Sequence, residues 1–377
     1  MAKRKSIGRG DPTPANREPF GDVALDFRTS SAKDQDHRLA RREARRKTRL
    51  RRRKLGYSLL VALFVGIAGA SLALESMEKT PVSAVATPTV APPKPPPKPA
   101  TLESASGAPA AGEPANSGLS GDPDALKARI EEIAAYYGGT YGVRTYDPDT
   151  GKGVSLGTDE TFFAASIGKL PALLSLYESV AAGELDLDDE ISIYSSDVQS
   201  YGTGVLHNRA VGSTLTLRES AYYLMNQSDN TAWAMLTRYL GIDEIQADLR
   251  NIGARDTNYW IPNTTTAGDV SLMLQKIADP SFTSPELSEE MLASMTDTDF
   301  EDRIPAGLPP DVRVAHKIGS YDGSFSDAGI VLYKGPGGKD RRYVIVVLTA
   351  GIGEGTARAA IQEISAAAYE TFATTRR

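Results

Sequence analysis

Apolar residues are concentrated in one unbroken run near the start of the chain. Residues 55–74 (LGYSLLVALFVGIAGASLAL) contain no charged side chain. A helix of this length, rising about 1.5 Å per residue, measures about 30 Å, which matches the hydrocarbon thickness of a bilayer. The pattern therefore predicts a transmembrane helix at residues 55–74.

From residue 121 onward, the apolar positions follow the spacings of strands and helices. Short runs with strand-forming patterns between turn residues predict strands at 140–146, 153–157, 313–318, 327–333 and 342–350. Helical spacing fills most of residues 163–295 and returns at 356–374. Strands at both ends with helices between them predict an α/β domain of the α+β type. An antiparallel sheet from both ends of the region would carry an inserted helical lobe, with a cleft between the two.

Basic residues precede the apolar run. Residues 1–55 carry 18 Lys or Arg against 7 Asp or Glu, although the whole chain has a net charge of −6. The positive-inside rule then predicts a cytoplasmic N-terminus, with the domain outside the cell membrane. A cleaved signal peptide is the alternative, but about 54 residues are too long for its basic region. Because the basic run adjoins the apolar segment, we predict contact with the membrane and no nucleic-acid partner.

Composition divides the chain into four regions. Residues 1–54 are predicted to be a disordered, basic cytoplasmic tail, and residues 55–74 the membrane anchor. Residues 75–120 form a Pro/Ala-rich linker with PPKPPPKP at its centre, which favours extended polyproline II. Such a linker is a spacer between the membrane and a domain at residues 121–377, and its alternative, an SH3-type ligand, does not suit the outer side of a membrane.

The chain has no cysteine and three histidines. A disulfide, a thiolate nucleophile and a Cys-ligated metal are therefore excluded. His37 lies in the tail, His207 in a polar loop, and His316 on a predicted strand, where its side chain alternates away from that of Lys317. A Ser-His-Asp triad, a metal site and a cofactor are accordingly not predicted.

Two short polar motifs near the predicted helices carry candidate chemistry. Ser166 and Lys169 stand three residues apart at the start of an apolar helix, so they lie on one face. Backbone N–H groups at a helix start can stabilise an oxyanion, and Lys169 can act as a base if burial keeps it neutral. Ser228 and Asn230 fall in a break between two helices. There Ser228 can relay a proton, and Asn230 can hold a substrate amide.

A third motif, Lys317-Ile318-Gly319, ends a predicted strand and precedes Ser320. Lys317 can bind a substrate carboxylate and lower the pKa of neighbouring groups. Gly319 permits close backbone approach, and the backbone N–H of Ser320 is the candidate second oxyanion donor. Each motif by itself also fits an ordinary structural role, such as a helix cap at Ser166 or an edge-strand lysine at Lys317.

The order of the motifs and the sequences around them decide between these roles. The flanking segments are YGTGVL at 201–206, NTTTAGDV at 263–270, DRIPAGLP at 302–309 and FSDAG at 325–329. With the three motifs, they resemble the class A β-lactamase family of serine β-lactamases and penicillin-binding proteins over residues 125–375. The resemblance implies the β-lactamase/transpeptidase-like fold. It also implies a nucleophile at Ser166, a base at Lys169, a proton shuttle at Ser228, and substrate binding by Asn230 and Lys317.

Two departures from that family bear on turnover. Class A enzymes carry a Glu-Pro-Glu-Leu-Asn loop before the Thr-Thr-Thr segment, and its first Glu activates the water that hydrolyses the acyl enzyme. Here residues 251–262 contain no Glu, and their one acid, Asp256, lies too early to match. The similar run at 285–287 follows the Thr segment and predicts a helix start. Ile318 replaces a Thr or Ser, so a hydroxyl for a substrate carboxylate is lost, and Ser320 is expected on the other strand face.

Three functions stay open on these residues. The first is a serine hydrolase that forms an acyl enzyme at Ser166 with a β-lactam or a peptidoglycan-stem amide. The second is a D,D-peptidase or penicillin-binding protein, which the missing Glu favours, whereas the flanking segments favour a β-lactamase. The third is a non-catalytic cell-wall-binding domain, which the two departures support and the five intact polar residues of the motifs oppose.

Overall fold

Both ends of the segment that this computed structural model describes, residues 121–373, contribute strands to one antiparallel sheet. The strands are β1 Thr140–Tyr146, β2 Ser155–Leu156, β3 Phe162–Phe163, β4 Glu190–Ser192, β5 Thr214–Thr216, β6 Thr264–Thr265, β7 Arg313–Tyr321, β8 Ser324–Lys334 and β9 Asp340–Ala350. The main sheet has the order β2-β1-β9-β8-β7, while β3 pairs with β6 and β4 with β5. Strand β7 is therefore an edge of the main sheet.

Most of the helices lie between β3 and β7 in the chain and form the predicted inserted lobe. The helices are α1 Pro123–Tyr137, α2 Leu170–Ala181, α3 Leu217–Met225, α4 Asn230–Leu240, α5 Ile242–Ile252, α6 Ala267–Ala278, α7 Pro285–Ser294 and α8 Glu354–Ala373. Helix α1 begins where Asp122 accepts a hydrogen bond from Asp124 N (2.9 Å), as its Asp-Pro-Asp sequence predicts. Helix α7 begins at a Ser284 cap, so the Pro-Glu-Leu run at 285–287 is a helix start as predicted.

Strand β9 shows how one sequence pattern serves two cores. It lies at the centre of the sheet and is buried on both faces, as its continuous apolar sequence requires. Val344, Val346 and Leu348 join the core of the helical lobe, whereas Ile345 and Val347 pack with α1 and α8 on the other face. The sheet therefore carries the helical lobe on one face and the two terminal helices on the other, which confirms the predicted fold class.

The hairpin between β7 and β8 is longer than the pattern predicts. The strands stay paired out to Tyr321 opposite Ser324, with Asp322 and Gly323 between them at positive φ angles of 25° and 77°. An Asp-Gly pair is a strong two-residue hairpin signal, and the prediction overlooked it. The extra pairs bring Ser320 and Tyr321 to the rim of the cleft described below.

Within residues 121–373, no helix combines the length and the apolar character needed to span a membrane. The predicted tail, anchor and linker at residues 1–120 lie outside the described residues. Their assignments therefore stay predictions.

Candidate active site

A cleft of about 770 Å³ opens between β7 and the helical lobe. It is lined by Phe163, Ala165, Ser166, Gln199, Tyr201, Gly202, Thr203, Ser228, Asn230, Trp233, Trp260, Ile261, Pro262, Asn263, Phe300, Asp302, Arg303, Ile318, Ser320, Tyr321 and Glu354. Its volume is within the usual range for small-molecule sites. Four of the predicted site residues, namely Ser166, Ser228, Asn230 and Ser320, open onto it.

Ser166 is placed by a short 3₁₀ turn, Ala165–Lys169, that runs into α2. The prediction put this serine at or beside the start of the helix, and it lies in the tighter turn directly before that start, where Pro171 stands in the first helical turn. Ala165 has a positive φ of 47°, a strained backbone conformation for a residue with a side chain. Strand β7 packs closely on this turn, since a Cβ added to Gly319 would lie 2.7 Å from Ala164 O. Gly319 therefore does permit close backbone approach, and the approach is to the turn that carries Ser166.

The Lys169 side chain gathers the polar atoms of the first two motifs. Its Nζ lies 2.8 Å from Ser166 Oγ, 3.1 Å from Ser228 Oγ, 2.9 Å from Ser228 O and 2.8 Å from Asn230 Oδ1. Lys169 is fully buried, and its ammonium position is 5.0 Å from the centre of the Trp233 ring. The structure thus brings together two pairs of residues, with 61 positions of sequence between Lys169 and Asn230.

Burial lowers the pKa of Lys169 well below its ordinary value, and the positive charge of Lys317 lowers it further, against the opposing effect of Asp229. A neutral amine has two N–H donors and one lone pair. It can therefore donate to Ser228 O and Asn230 Oδ1 while its lone pair accepts the Ser166 O–H. This arrangement leaves Lys169 able to remove a proton from Ser166.

The break between α3 and α4 holds Ser228 and Asn230 in place. Asp229 caps α4 by accepting from Ala232 N (2.8 Å), and its other oxygen accepts from Val205 N (2.6 Å) and Leu206 N (2.8 Å). Ser228 has a positive φ of 54°, which turns its carbonyl toward Lys169. Asp229 therefore caps the helix, and its neighbours Ser228 and Asn230 face the cleft.

Lys317 lies beneath the cleft wall and not in it. It is 2% exposed, its Nζ is 3.3 Å from Ile318 O, and the ring centre of Phe300 is 5.7 Å away. Burial lowers the pKa of Lys317 to about 7, with nearby Arg303 acting in the same direction and Asp327 against it. Its charge therefore acts on the cleft from below, and lowers the pKa of Lys169.

Arg303 is a candidate site residue that the sequence reasoning missed. It is 1% exposed, yet it lines the cleft and donates to Gly319 O (2.9 Å), Ser326 O (2.6 Å) and Ser320 Oγ. Its Nε makes no hydrogen bond within residues 121–373. The sequence did contain a signal for it, because Arg303 lies in the flanking segment at 302–309. That segment was used only to recognise the resemblance to the family.

The contact with Arg303 also settles where Ser320 points. The expectation that Ser320 points to the other strand face from Ile318 is wrong. Both side chains line the cleft, because alternate residues of a strand share a face, and Lys317 lies on the opposite face. Since Ser320 Oγ accepts from Arg303, its own O–H is left to donate to a bound acceptor. Ser320 therefore supplies a hydroxyl on the stretch of β7 where Ile318 has none.

The opposite rim of the cleft is apolar. Trp260, Ile261 and Pro262 line it, and Ile261 is 82% exposed. Asn263 anchors this rim beside the 165–169 turn, because its Nδ2 donates to Ala165 O (3.0 Å) and its backbone carbonyl accepts from Ala164 N (2.9 Å). Within residues 121–373, the acids that line the cleft are Asp302 and Glu354. Both pair with Arg358, at 2.9 Å and 3.3 Å.

The family model described as the beta-lactamase enzyme family matches residues 125–372. The chain belongs to this family. The curated β-lactamase of Amycolatopsis lactamdurans is 28% identical over 226 residues, which cover 56% of this chain and 73% of that protein. The resemblance deduced from the motifs is thereby confirmed.

Solved structures of the family share the fold. The β-lactamase of Sphaerobacter thermophilus is 29% identical with a TM-score of 0.59, and the match covers 66% of this chain and 97% of that one. A leucine-to-glutamate variant of PBP-A, described as an acyl-enzyme complex with penicillin G, is 26% identical with a TM-score of 0.61. That match covers 67% of this chain and 97% of the PBP-A chain.

The family's Glu-Pro-Glu-Leu-Asn loop can now be compared with the rim. Its first Glu precedes a proline, and in this chain the residue before Pro262 at the cleft is Ile261. Asp256, the acid earlier in the same segment, is absent from the cleft lining, and its backbone N–H donates to Asp269 Oδ2 (2.8 Å). No carboxylate of residues 251–262 therefore lines the cleft.

Proposed function

We propose that the domain is a serine acyl-transfer enzyme. Ser166 forms an acyl enzyme with β-lactams or with amides of the peptidoglycan stem peptide, and this acyl enzyme is hydrolysed slowly. The observation that carries the proposal is the contact of 2.8 Å between Ser166 Oγ and the Nζ of a fully buried lysine with a lowered pKa. An activated serine of this kind is the requirement for nucleophilic catalysis.

The acylation step follows from these contacts. Neutral Lys169 takes the proton of Ser166 Oγ, which attacks the amide carbonyl carbon and forms the new C–O bond. Negative charge then develops on the carbonyl oxygen, for which the backbone N–H groups of Ser166 and Ser320 are the proposed donors. When the C–N bond breaks, the proton passes from Lys169 through Ser228 Oγ, 3.1 Å away, to the leaving nitrogen.

Substrate recognition rests on the polar groups beside the nucleophile. Asn230 binds the substrate amide from the α4 side of the cleft, where its Nδ2 at present donates to Tyr201 O (3.0 Å). The hydroxyl of Ser320, which Arg303 holds, donates to a substrate carboxylate, and the charges of Arg303 and Lys317 attract it. Penicillins and stem-peptide C-termini both carry such a carboxylate.

The apolar residue at position 261 favours a penicillin-binding protein over an efficient β-lactamase. Hydrolysis of the acyl enzyme needs a base that activates water, and losing a positioned base costs about 10²–10⁴-fold in rate. Ile261 offers no such base, and Asp302 and Glu354 are engaged with arginines. The same site can pass the acyl group to an amine or to water as a D,D-peptidase does, at a low rate.

The full chain is proposed to be a single-pass membrane protein whose enzymatic domain lies outside the cytoplasm. The charge-free run at 55–74, the basic run before it and the proline-rich linker after it support this topology. Protease added to intact cells should degrade the domain and spare a tag at residue 1. Equal protection of both ends, or release of the protein from membranes by salt, would refute the anchor.

The test of the enzymatic proposal is the intact mass of the full-length chain incubated with benzylpenicillin. The wild type should gain the mass of one penicillin, whereas Ser166→Ala should gain none. Hydrolysed drug with no persistent adduct would indicate a β-lactamase with another water activator. Binding of penicillin that survives in Ser166→Ala would instead indicate a non-catalytic binding domain.

A further inference from the structure

The segment between α7 and β7 builds one wall of the cleft. Phe300, Asp302 and Arg303 all line the cleft from this segment. It belongs to neither a helix nor a strand at residues 298–304, so its position depends on side-chain contacts. Those contacts converge on His316, the fully buried residue of β7 next to Lys317.

The ring of His316 lies between two carboxylates. Its Nδ1 is 2.9 Å from Asp327 Oδ1 and 3.1 Å from Asp327 Oδ2, and its Nε2 is 3.2 Å from Glu301 Oε1. Thr298 Oγ1 is also near Nε2, at 3.3 Å. A carboxylate only accepts hydrogen bonds, so the ring satisfies both when each nitrogen carries a proton. The geometry is that of an imidazolium ion.

The two carboxylates hold opposite ends of the cleft segment. Glu301 accepts from Thr298 N (2.7 Å) and Thr298 Oγ1 (2.8 Å), which closes the first turn of the segment. Asp327 accepts from Ile304 N (3.0 Å), directly after Arg303. One imidazole ring thus connects both ends of the segment to the sheet.

The surrounding charges favour the protonated ring. Burial alone would lower the pKa of His316, but the carboxylates of Asp327 and Glu301 outweigh it and raise the pKa to about 9. Lys317 and Arg303 also lie near Asp327, since the charge of that carboxylate acts on both of them. His316 therefore loses its proton at a higher pH than Lys317, whose pKa is lowered to about 7.

We propose that His316, as an imidazolium ion, is a positioning residue that holds the 298–304 segment so that Arg303 and Ser320 can receive the carboxylate of an anionic substrate. The inference rests on the proposed function, because it concerns recognition by the same cleft. It differs from a catalytic triad, because the ring contacts neither Ser166 nor Lys169. Its consequence is selectivity: without the imidazolium, acyl transfer to Ser166 continues, but the preference for an anionic substrate is lost.

The test compares benzylpenicillin with its uncharged methyl ester on the full-length chain. The readout is the ratio of their second-order acylation constants at Ser166, measured by intact mass at pH 7. His316→Gln, which keeps at most one of the two ring contacts, should lower the ratio about tenfold while the constant for the ester stays near that of the wild type. His207→Gln, at the other described histidine, is the matched control and should leave the ratio unchanged.

Glu301→Gln provides a second variant in case His316→Gln does not fold. Glu301 is half exposed, so the substitution leaves the buried Asp327 contact in place, and the ratio should again fall. In the wild type, the ratio should fall in two steps as the pH rises, through about 7 for Lys317 and about 9 for His316. The upper step should be missing in His316→Gln.

Four results would overturn the inference. A parallel fall of both constants in both variants would show a structural role only. An unchanged ratio would show that the ring does not position the carboxylate site. The imidazole signal of His316 is the NMR signal that disappears in His316→Gln. If this signal titrates below pH 7, the ring is not an imidazolium ion at pH 7. Absence of any adduct on the wild type would refute the proposed function itself, and this inference with it.

Discussion

The two sides of the cleft differ in how much chemistry they hold. On one side, Ser166, Lys169, Ser228 and Asn230 form a continuous hydrogen-bonded group in which Lys169 Nζ has four oxygen neighbours within 3.1 Å. On the facing rim, Trp260, Ile261 and Pro262 present apolar surface. The first side carries the groups that the proposed acyl-enzyme step needs. Residues 260–262 on the second side offer no base for the proposed hydrolysis.

This difference indicates that the proposed formation and hydrolysis of the acyl enzyme depend on different parts of the cleft. The lowered pKa of Lys169 depends on burial and on the nearby charge of Lys317, both of which come from the packing of the site. In the proposed mechanism, a water activator would depend on a single side chain of the rim at residues 260–262. We therefore expect one substitution on that rim to change the lifetime of the acyl enzyme without changing the rate at which it forms.

Removing the base from the polar side should have the largest effect. Lys169→Met keeps the length of a buried, unbranched side chain but cannot take a proton, so acylation by benzylpenicillin should slow by about 10²–10⁴-fold. Stopped-flow or mass-based acylation kinetics measure this loss, and Lys152→Met on an exposed loop is the control. Acylation of Lys169→Met at the wild-type rate would show that another group activates Ser166.

Loss of the Ser320 hydroxyl should have a smaller effect. Ser320→Ala removes the proposed donor to the substrate carboxylate, and should lower the acylation constant for benzylpenicillin about tenfold. Ser320→Thr keeps a hydroxyl at the same position and should retain most of the rate. If Ser320→Ala and Ser320→Thr have the same acylation constant, Ser320 acts through its backbone and not through its hydroxyl.

The pH dependence should show the smallest effect. Lys317 is charged below its pKa of about 7 and neutral above it, so the acylation constant for an anionic penicillin should decrease as the pH rises through about 7. Arg303 stays charged over this range, which limits the decrease. A constant that rises between pH 6 and 8 would show instead that deprotonation of Lys169 governs the rate.

The sequence predicted the architecture well because the strand-forming runs near both ends are bounded by clear turn residues. Their positions matched, and the errors were at boundaries such as the β7–β8 hairpin, where the Asp322-Gly323 turn extends the pairing. Alternate residues of β9 enter two different cores, because successive side chains of a strand point to opposite faces of the sheet.

The candidate site was predictable only in part. Local motifs located Ser166, Lys169, Ser228 and Asn230, and the structure brings all four within hydrogen-bonding distance of one amine. Arg303 was missed because its role depends on a contact with Ser320 across 17 residues of chain, which no local pattern encodes. The burial of Lys317 beneath the wall was missed for the same reason, since depth is a property of tertiary packing.

The most direct test of this account is the lifetime of the preformed penicillin adduct in Ile261→Glu compared with the wild type, with Ile261→Gln as the uncharged control. If the rim lacks only a base, the adduct should persist on the wild type and on Ile261→Gln. It should be hydrolysed at least about 10²-fold faster on Ile261→Glu. Equal lifetimes in all three proteins, or a wild-type adduct that is already hydrolysed within seconds, would contradict the claim that this cleft is built to form an acyl enzyme without a means of removing it.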